Sequence, residues 1–338
     1  MFLQKLFFKK VFKLEPPKVL ENRCLPGKFK LFTCDKCQRK CPQGAVVARR
    51  GRVFISPSEC SGCNICAAVC PGEAFRPGNL DYYHRFQNIV EFTHPVIGCY
   101  ENTDGVNVAF TCLFSLPRDF LYSLFLKLAG QQGTLTFDFS RCVGCENFRF
   151  YPSFLLSLSK AHKFCRDLGL DIPTSAVYHS DALSPAPRYY TRREVLQFFR
   201  KDTINVVQGM AGDIVPGDKS DLSQCRRMLL AQLNNYGDWQ VRAKTPLPFA
   251  VMRINEGCNL CGLCVKCCIA NALVLDTSIE NGAAPHVTQK HIRHRPWRCV
   301  DCGLCRCVCP RGVLKKTAYA GEINGLLKAW ALYSSTNV

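Results

Sequence analysis

Cysteine spacing carries the chemistry of this chain. Cys60, Cys63, Cys66 and Cys70 are separated by two, two and three residues, and Pro71 follows the last. The same run recurs as Cys299, Cys302, Cys305 and Cys309 with Pro310, and again as Cys258, Cys261, Cys264 and Cys268, where Ile269 takes the proline position. Three thiolates at three-residue steps can wrap one iron–sulfur cubane, and a fourth lies four residues on. A zinc ribbon uses two CxxC pairs and leaves the third thiolate without a purpose. A disulfide framework belongs to secreted chains, and no secretory signal opens this one. Ile269 removes no ligand, because proline there fixes φ and binds nothing.

A fourth motif is incomplete. Cys34, Cys37, Cys41 and Pro42 are present, but Leu31 stands where the first thiolate belongs. Cys24 lies ten residues upstream of Cys34, and Pro26 and Gly27 allow a loop that returns its thiolate to the others. The alternatives are a three-iron cluster, a non-cysteine ligand or an empty site.

These blocks resemble the two-cluster bacterial-type ferredoxins over roughly 23–75 and 247–318, down to the turns CPQGAV, CPGEAF, CIANAL and CPRGVL. The resemblance implies pseudo-symmetric α+β modules whose fourth cysteine serves the neighbouring cluster. It assigns Cys258, Cys261, Cys264 and Cys309 to one [4Fe-4S] cluster and Cys299, Cys302, Cys305 and Cys268 to a second. In the first module, Cys24, Cys34, Cys37 and Cys70 form one set and Cys60, Cys63, Cys66 and Cys41 the other. Four [4Fe-4S] clusters are therefore expected.

Four more cysteines follow short apolar runs: Cys99 after Val96–Gly98, Cys112 after Val106–Thr111, and Cys142 and Cys145 after Thr134–Phe139. If those runs are parallel strands joined by crossover helices, all four thiols emerge at the carboxyl edge, where open α/β sheets place ligands. They could hold a [2Fe-2S] cluster, zinc or a redox-active thiol pair. Residues 95–172 resemble the delta, iron–sulfur subunit of methyl-viologen-reducing hydrogenase in these cysteines, in Cys142-Val-Gly-Cys145 followed by Asn147, and in Leu168-Gly169-Leu170. That resemblance implies a [2Fe-2S] centre here and a heterodisulfide-reductase-like partner. Cys165, Cys225, Cys267 and Cys307 read as buried or incidental thiols.

The elements that position these residues follow from composition and periodicity. The 338 residues suffice for two or three domains, and 47% hydrophobic content supplies real cores. The fold class is α+β: two ferredoxin-like modules at 23–80 and 246–318 flank a small α/β domain with a parallel sheet at 95–172. Helical periodicity marks 118–129 and 151–167, and 190–208 and 220–236, inside a linker over 173–245, read as further helices packing on that domain. Residues 319–338 read as a C-terminal helix. Residues 1–22 form a basic amphipathic segment: Leu3, Phe7, Val11 and Leu14 share one face and Lys5, Lys9 and Lys13 the other. It docks on its own domain or on a partner subunit, or touches a membrane surface. No stretch reaches the length of a transmembrane segment, and a cytoplasmic, reducing location is expected, with membrane association through that segment as the variant.

The formal charge of +18 falls to about +10 once four clusters with their thiolates are counted. Lys and Arg are dispersed, so no nucleic-acid partner is expected. The loop His291–His294 is expected at the solvated surface. Thr191–Leu196 imitates a twin-arginine signal without the apolar segment that follows one, and Gly212–Ser220 imitates a phosphate loop with the wrong lysine spacing.

The pattern predicts a multi-cluster electron-transfer subunit with no catalytic site of its own. Its partner is a larger redox enzyme subunit (a hydrogenase, a molybdenum or tungsten enzyme, or a heterodisulfide-reductase-like complex) or a soluble ferredoxin. The alternatives are an iron–sulfur nucleic-acid-binding protein and a thiol-redox enzyme using Cys142 and Cys145.

Overall fold

The computed structural model describes residues 15–49, 51–77, 81–101, 105–179, 222–235, 247–279 and 288–319. The expected helices at 1–14 and 190–208, and the C-terminal helix past Tyr319, lie outside the described residues.

The first module runs β1 (Lys18–Val19), α1 (Leu25–Lys28), α2 (Lys36–Arg39), β2 (Val46–Arg49), β3 (Arg52–Ile55), α3 (Ile65–Val69) and β4 (Phe75–Arg76). β1 pairs antiparallel with β4, and β2 with β3. Because β1 closes on β4, the module reaches back at least to Lys18, beyond the boundary at 23 read from the cysteines. Val46, Phe75, Cys37 and Cys66 are packed together beneath these ribbons.

The middle unit runs α4 (Tyr82–Val90), β5 (Val96–Cys99), β6 (Val108–Phe110), α5 (Arg118–Gly130), β7 (Leu135–Asp138), α6 (Tyr151–Asp167) and β8 (Thr174–Val177), joined by α7 (Gln224–Asn235). Its sheet has the order β6-β5-β7-β8, with every pair parallel. Every residue of α5 from Asp119 to Leu126 is buried, and such a helix must be covered on all sides. α4, α6 and α7 pack against it. Asp81 caps α4 by accepting from the backbone N–H groups of Tyr83 and His84 at 2.9 and 3.2 Å.

Three sequence expectations change here. β8 is the fourth strand of the sheet, which therefore runs past the boundary at 172, while α7, inside the 220–236 stretch read as a helix packing on this unit, contributes Met228, Leu229, Leu230 and Leu233 to its core. α4, absent from the periodicity reading, is a further part of that core. Finally, β5 reaches β6 through residues 100–107, a link too short for the crossover helix expected between them; α5 makes the only such crossing from β6 to β7 among the described residues.

The last module runs β9 (Leu247–Ile254), α8 (Leu263–Lys266), β10 (Leu273–Ile279), β11 (Thr288–His294), α9 (Leu304–Val308) and β12 (Leu314–Tyr319). β9 pairs with β12 and β10 with β11, both antiparallel. His294 departs from the surface position expected of it: its Nδ1 accepts from the Met252 backbone N–H at 3.3 Å, and burial lowers its pKa to about 4. No helix among the described residues is long and apolar enough to cross a membrane.

Candidate iron–sulfur sites

In the last module eight thiols meet in two sets of four, each around its own small pocket. Cys258, Cys261, Cys264 and Cys309 line the first. Cys268, Cys299, Cys302 and Cys305 line the second. The third cysteine of each run rides on a one-turn helix, Cys264 on α8 and Cys305 on α9, while the preceding loops wind through left-handed backbone at Leu260, Gly262, Asp301 and Gly303 (φ 55 to 79°). That winding turns successive N–H groups inward, which suits an anionic group. The Ala272 N–H donates to Cys268 Sγ at 3.1 Å. Burial raises Cys309, and together the backbone N–H groups of Val313, Arg311, Gly312 and Leu314 outweigh it and bring the thiol below its ordinary value.

The first module repeats this construction. Cys66, on α3, is raised by burial and then by the neighbouring Cys63, Cys60, Cys37 and Cys41. Cys37, on α2, is pushed up to about 12 by burial and then by Cys70, Cys34 and Cys24. The structure thus gathers Cys60, Cys63, Cys66 and Cys41 in one set and Cys24, Cys34, Cys37 and Cys70 in the other. Gly62 and Asn64 supply the left-handed backbone around Cys63, and the Gly62 and Ala74 N–H groups donate to Cys60 and Cys70 Sγ at 3.5 and 3.3 Å.

Cys24 stands in this module where Cys299 stands in the other. Each ends a short 3-10 turn, Glu21–Arg23 or Pro296–Arg298. Each follows an arginine whose Nε donates to the carbonyl two residues beyond the fourth cysteine: Arg23 to Gly72 at 3.1 Å and Arg298 to Ala270 at 2.8 Å. The closing backbone bonds also match, Leu20 N–H to Ala74 and Arg295 N–H to Ala272, both 2.7 Å. The difference is α1 and its flanks, inserted between Cys24 and Cys34. The Arg-Cys dipeptide was the sequence signal for this equivalence, and spacing alone overlooks it.

The carboxyl edge of the parallel sheet gathers the middle cysteines. Cys99 ends β5, Cys112 follows β6, and Cys142 and Cys145 follow β7. Burial raises Cys112, and Cys63, Cys99 and Cys142 raise it further; burial, Cys99 and Cys145 push Cys142 up to about 12. Asn147 Nδ2 approaches Cys112 Sγ at 3.8 Å.

Both kinds of site ask for positive charge. Buried thiols crowded by other thiols stay protonated unless a cation joins them, and N–H donors aimed at sulfur favour the thiolate. Among the described residues, no three Cys, His, Asp or Glu side chains crowd to the spacing of a single metal ion. The sets surround a space, as ligands of a [4Fe-4S] cubane do.

The sets also lie in succession. Cys264 stands within electrostatic reach of Cys305, and Cys37 of Cys66. Cys34 and Cys302 flank one apolar contact between the modules, formed by Leu25, Ile269, Leu304 and Val308. Cys63 neighbours Cys112 where α3 packs on the turn Leu113–Ser115.

Residues 257–313 match the 4Fe-4S dicluster domain family, and residues 53–76 match the 4Fe-4S binding domain family. The indolepyruvate oxidoreductase subunit IorA of Methanothermobacter thermautotrophicus is 43% identical over 44 residues, 13% of this chain and 7% of that subunit. The same subunit from Methanothermobacter marburgensis is 45% identical over 62 residues, 18% of this chain and 9% of its own length. The likeness therefore spans a small fraction of those proteins. No solved structure matches. The chain carries 4Fe-4S ferredoxin-type domains in its first and last modules, and over a short stretch it is similar to an oxidoreductase subunit.

Proposed function

We propose that this chain is an electron-transfer subunit that relays single electrons to or from a larger redox enzyme subunit or a soluble ferredoxin, and has no catalytic site of its own. The observation that carries this reading is the succession of thiol sets from Cys258 at one end to the middle sheet edge at the other, with Cys34 and Cys302 bridging the modules. A [4Fe-4S] cluster bound at each of the four sets takes up and gives back one electron. Cys24, Cys34, Cys37 and Cys70 hold one, Cys41, Cys60, Cys63 and Cys66 the second, Cys268, Cys299, Cys302 and Cys305 the third, and Cys258, Cys261, Cys264 and Cys309 the fourth. The N–H groups of Gly62, Ala74 and Ala272 stabilise thiolate sulfur, and the apolar packing around Leu25 keeps water from the join.

The resemblance of the middle unit to the hydrogenase delta subunit supports a [2Fe-2S] centre held by Cys99, Cys112, Cys142 and Cys145. The similarity to an oxidoreductase subunit supports a larger redox complex as partner. The net basic surface steers an acidic partner face, so association slows as ionic strength rises.

The test is iron, acid-labile sulfide and zinc per chain after anaerobic purification. About sixteen irons with equal sulfide support the four-cubane relay, and about eighteen add the binuclear centre. About eight irons with zinc making up the ligand count overturn it.

A further inference from the structure

The β2–β3 ribbon of the first module has two unlike faces. Residues two apart along a strand share a face, and across this ribbon Val47 pairs with Phe54 and Arg49 with Arg52. The inner face, with Val46, Val53 and Ile55, packs on Cys37, Cys66, Cys41 and Cys70, which come from both thiol sets. The outer face presents Val47, Phe54, Arg49 and Arg52. Phe54 is 55% exposed and the Arg52 side chain 66%.

Neither feature of that outer face helps the fold. Arg49 and Arg52 stand directly opposite each other, and like charges in that arrangement repel. The exposed aromatic beside them leaves apolar area in water. Glu21, itself exposed, has its Oε2 4.0 Å from Arg52 Nε and offsets little of the repulsion. The ribbon at the same place in the last module, β10–β11, is built otherwise: Arg293 meets Asp276 at 2.7 Å, and His291 lies 3.9 Å from the same carboxylate. More positive charge borders the first ribbon. Gln38 of α2 accepts from the Ala48 N–H at 3.2 Å, which sets exposed Lys36 and Arg39 along the ribbon edge. At the turn, the Gly51 carbonyl is 3.2 Å from where a Cβ on Gly27 would stand, which brings α1 and its exposed Lys28 alongside. Lys28, Lys36, Arg39, Arg49 and Arg52 outnumber Glu21 and Asp35, the carboxylates paired with them.

We propose that this outer face is the docking surface for an acidic one-electron carrier protein, which exchanges electrons with the clusters beneath the ribbon. The basic rim attracts and orients an acidic carrier, and Phe54 with Val47 supplies the apolar contact that holds it. The carrier then stands across one ribbon from ligands of both centres, Cys37 and Cys70 of one set and Cys41 and Cys66 of the other. One electron leaves the reduced carrier and reduces one [4Fe-4S] cluster, with no bond made or broken. Electrons thus enter the relay at the first module, between its two ends. This rests on the thiol sets binding [4Fe-4S] clusters as proposed above.

The test is stopped-flow reduction of the anaerobically purified full chain by a reduced acidic two-cluster ferredoxin at low and high ionic strength, with iron per chain measured on every variant. Arg49→Glu combined with Arg52→Glu keeps a like-charged cross-strand pair, so the ribbon bears no new cost. It is expected to slow the second-order step at low ionic strength by about tenfold and to flatten its salt dependence. If that variant loses iron, Arg52→Gln, which relieves the repulsion, decides on the same readout. Lys160→Glu combined with Arg166→Glu makes the same change of charge at exposed positions of α6 and is expected to slow the step by less than about twofold. Phe54→Ser is expected to slow it at every ionic strength alike. The proposal is overturned if, with iron retained, removing the ribbon arginines leaves the rate unchanged, or if both double variants slow it equally. It is overturned too if those arginines bind single-stranded DNA or phosphatidylserine vesicles while the ferredoxin rate ignores them. A parent chain with full iron that dithionite fails to reduce overturns the relay reading itself, a failure separate from the others.

Discussion

Ile269 Cδ1 lies 3.1 Å from the point where a Cβ on Gly72 would stand, so the two modules meet at a glycine that has no room for a side chain. The same point is 2.3 Å from the Arg23 carbonyl, which leads directly into Cys24. Ile269, the residue that replaces proline after Cys268, therefore has a packing role: it is 7% exposed and belongs to the apolar contact with Leu25. Gly72→Ala is expected to displace the Arg23–Cys24 turn and lower iron by about one cluster. Ile269→Ala is expected to retain all iron while costing about 2 kcal/mol in anaerobic denaturant unfolding. Equal iron in Gly72→Ala and the parent chain would contradict the close fit.

Cys24 is the proposed ligand that spacing makes least obvious, and geometry places it beside Cys34 and Cys37. Cys24→Ser is expected to lose about four irons per chain, the same loss as Cys299→Ser, its equivalent. Iron analysis with sulfide on both variants checks this. Unchanged iron in Cys24→Ser with a loss in Cys299→Ser would mean that another side chain completes the first site.

Local spacing made the cysteine runs, the three strands at 96–98, 106–111 and 134–139, and the helices at 118–129 and 151–167 legible, because each is a pattern within one short window. What it could not show are relationships between windows. Arg226 Nη1 donates to the Cys299 carbonyl at 3.2 Å from 73 residues away, and no periodicity connects them. β8 is a short strand whose partner β7 lies across α6, and α4 is half polar; both are specified by what they pack against. The sequence showed only that Ile269 removes no ligand, and not its packing role, because its contact comes from the other module.

Phe120 is the centre of the middle unit: it is fully buried, with the rings of Tyr82, Phe86 and Phe110 at 5.5, 6.4 and 5.6 Å. Phe120→Ala is expected to destabilise the unit by about 3–5 kcal/mol. α4 and α5 both lose their common contact, so far-ultraviolet circular dichroism should report one cooperative transition at lower denaturant. A loss under about 1 kcal/mol would mean the neighbours collapse into the space.

His162 supplies a pH dependence away from the thiol sets. Its Nε2 lies 2.9 Å from Thr174 Oγ1 and its ring meets Phe125 edge-on. Burial, and then the charge of Arg166, lower its pKa below the ordinary imidazole value. The folded chain thus holds it neutral where the unfolded chain protonates it. Stability from this group is full above the ordinary value and falls as pH drops through it. His162→Gln should flatten the fall in unfolding midpoint between about pH 7.5 and 5.5. Parallel profiles for variant and parent would remove His162 as its source.

The middle thiols give the last prediction. Of the four, Cys145 is exposed and Cys112 is buried against Cys63. A bound centre would ligate Cys145 and block its alkylation, even though solvent reaches it. Cys112→Ser removes one ligand from the buried side, where Asn147 approaches the sulfur, and leaves the exposed edge untouched. Iodoacetamide should therefore modify Cys145 slowly in the parent chain and quickly in Cys112→Ser, and iron should fall by about two. If Cys145 reacts equally in both while iron stays near sixteen, the sheet edge is a thiol cluster without a metal centre, and the relay ends at Cys63.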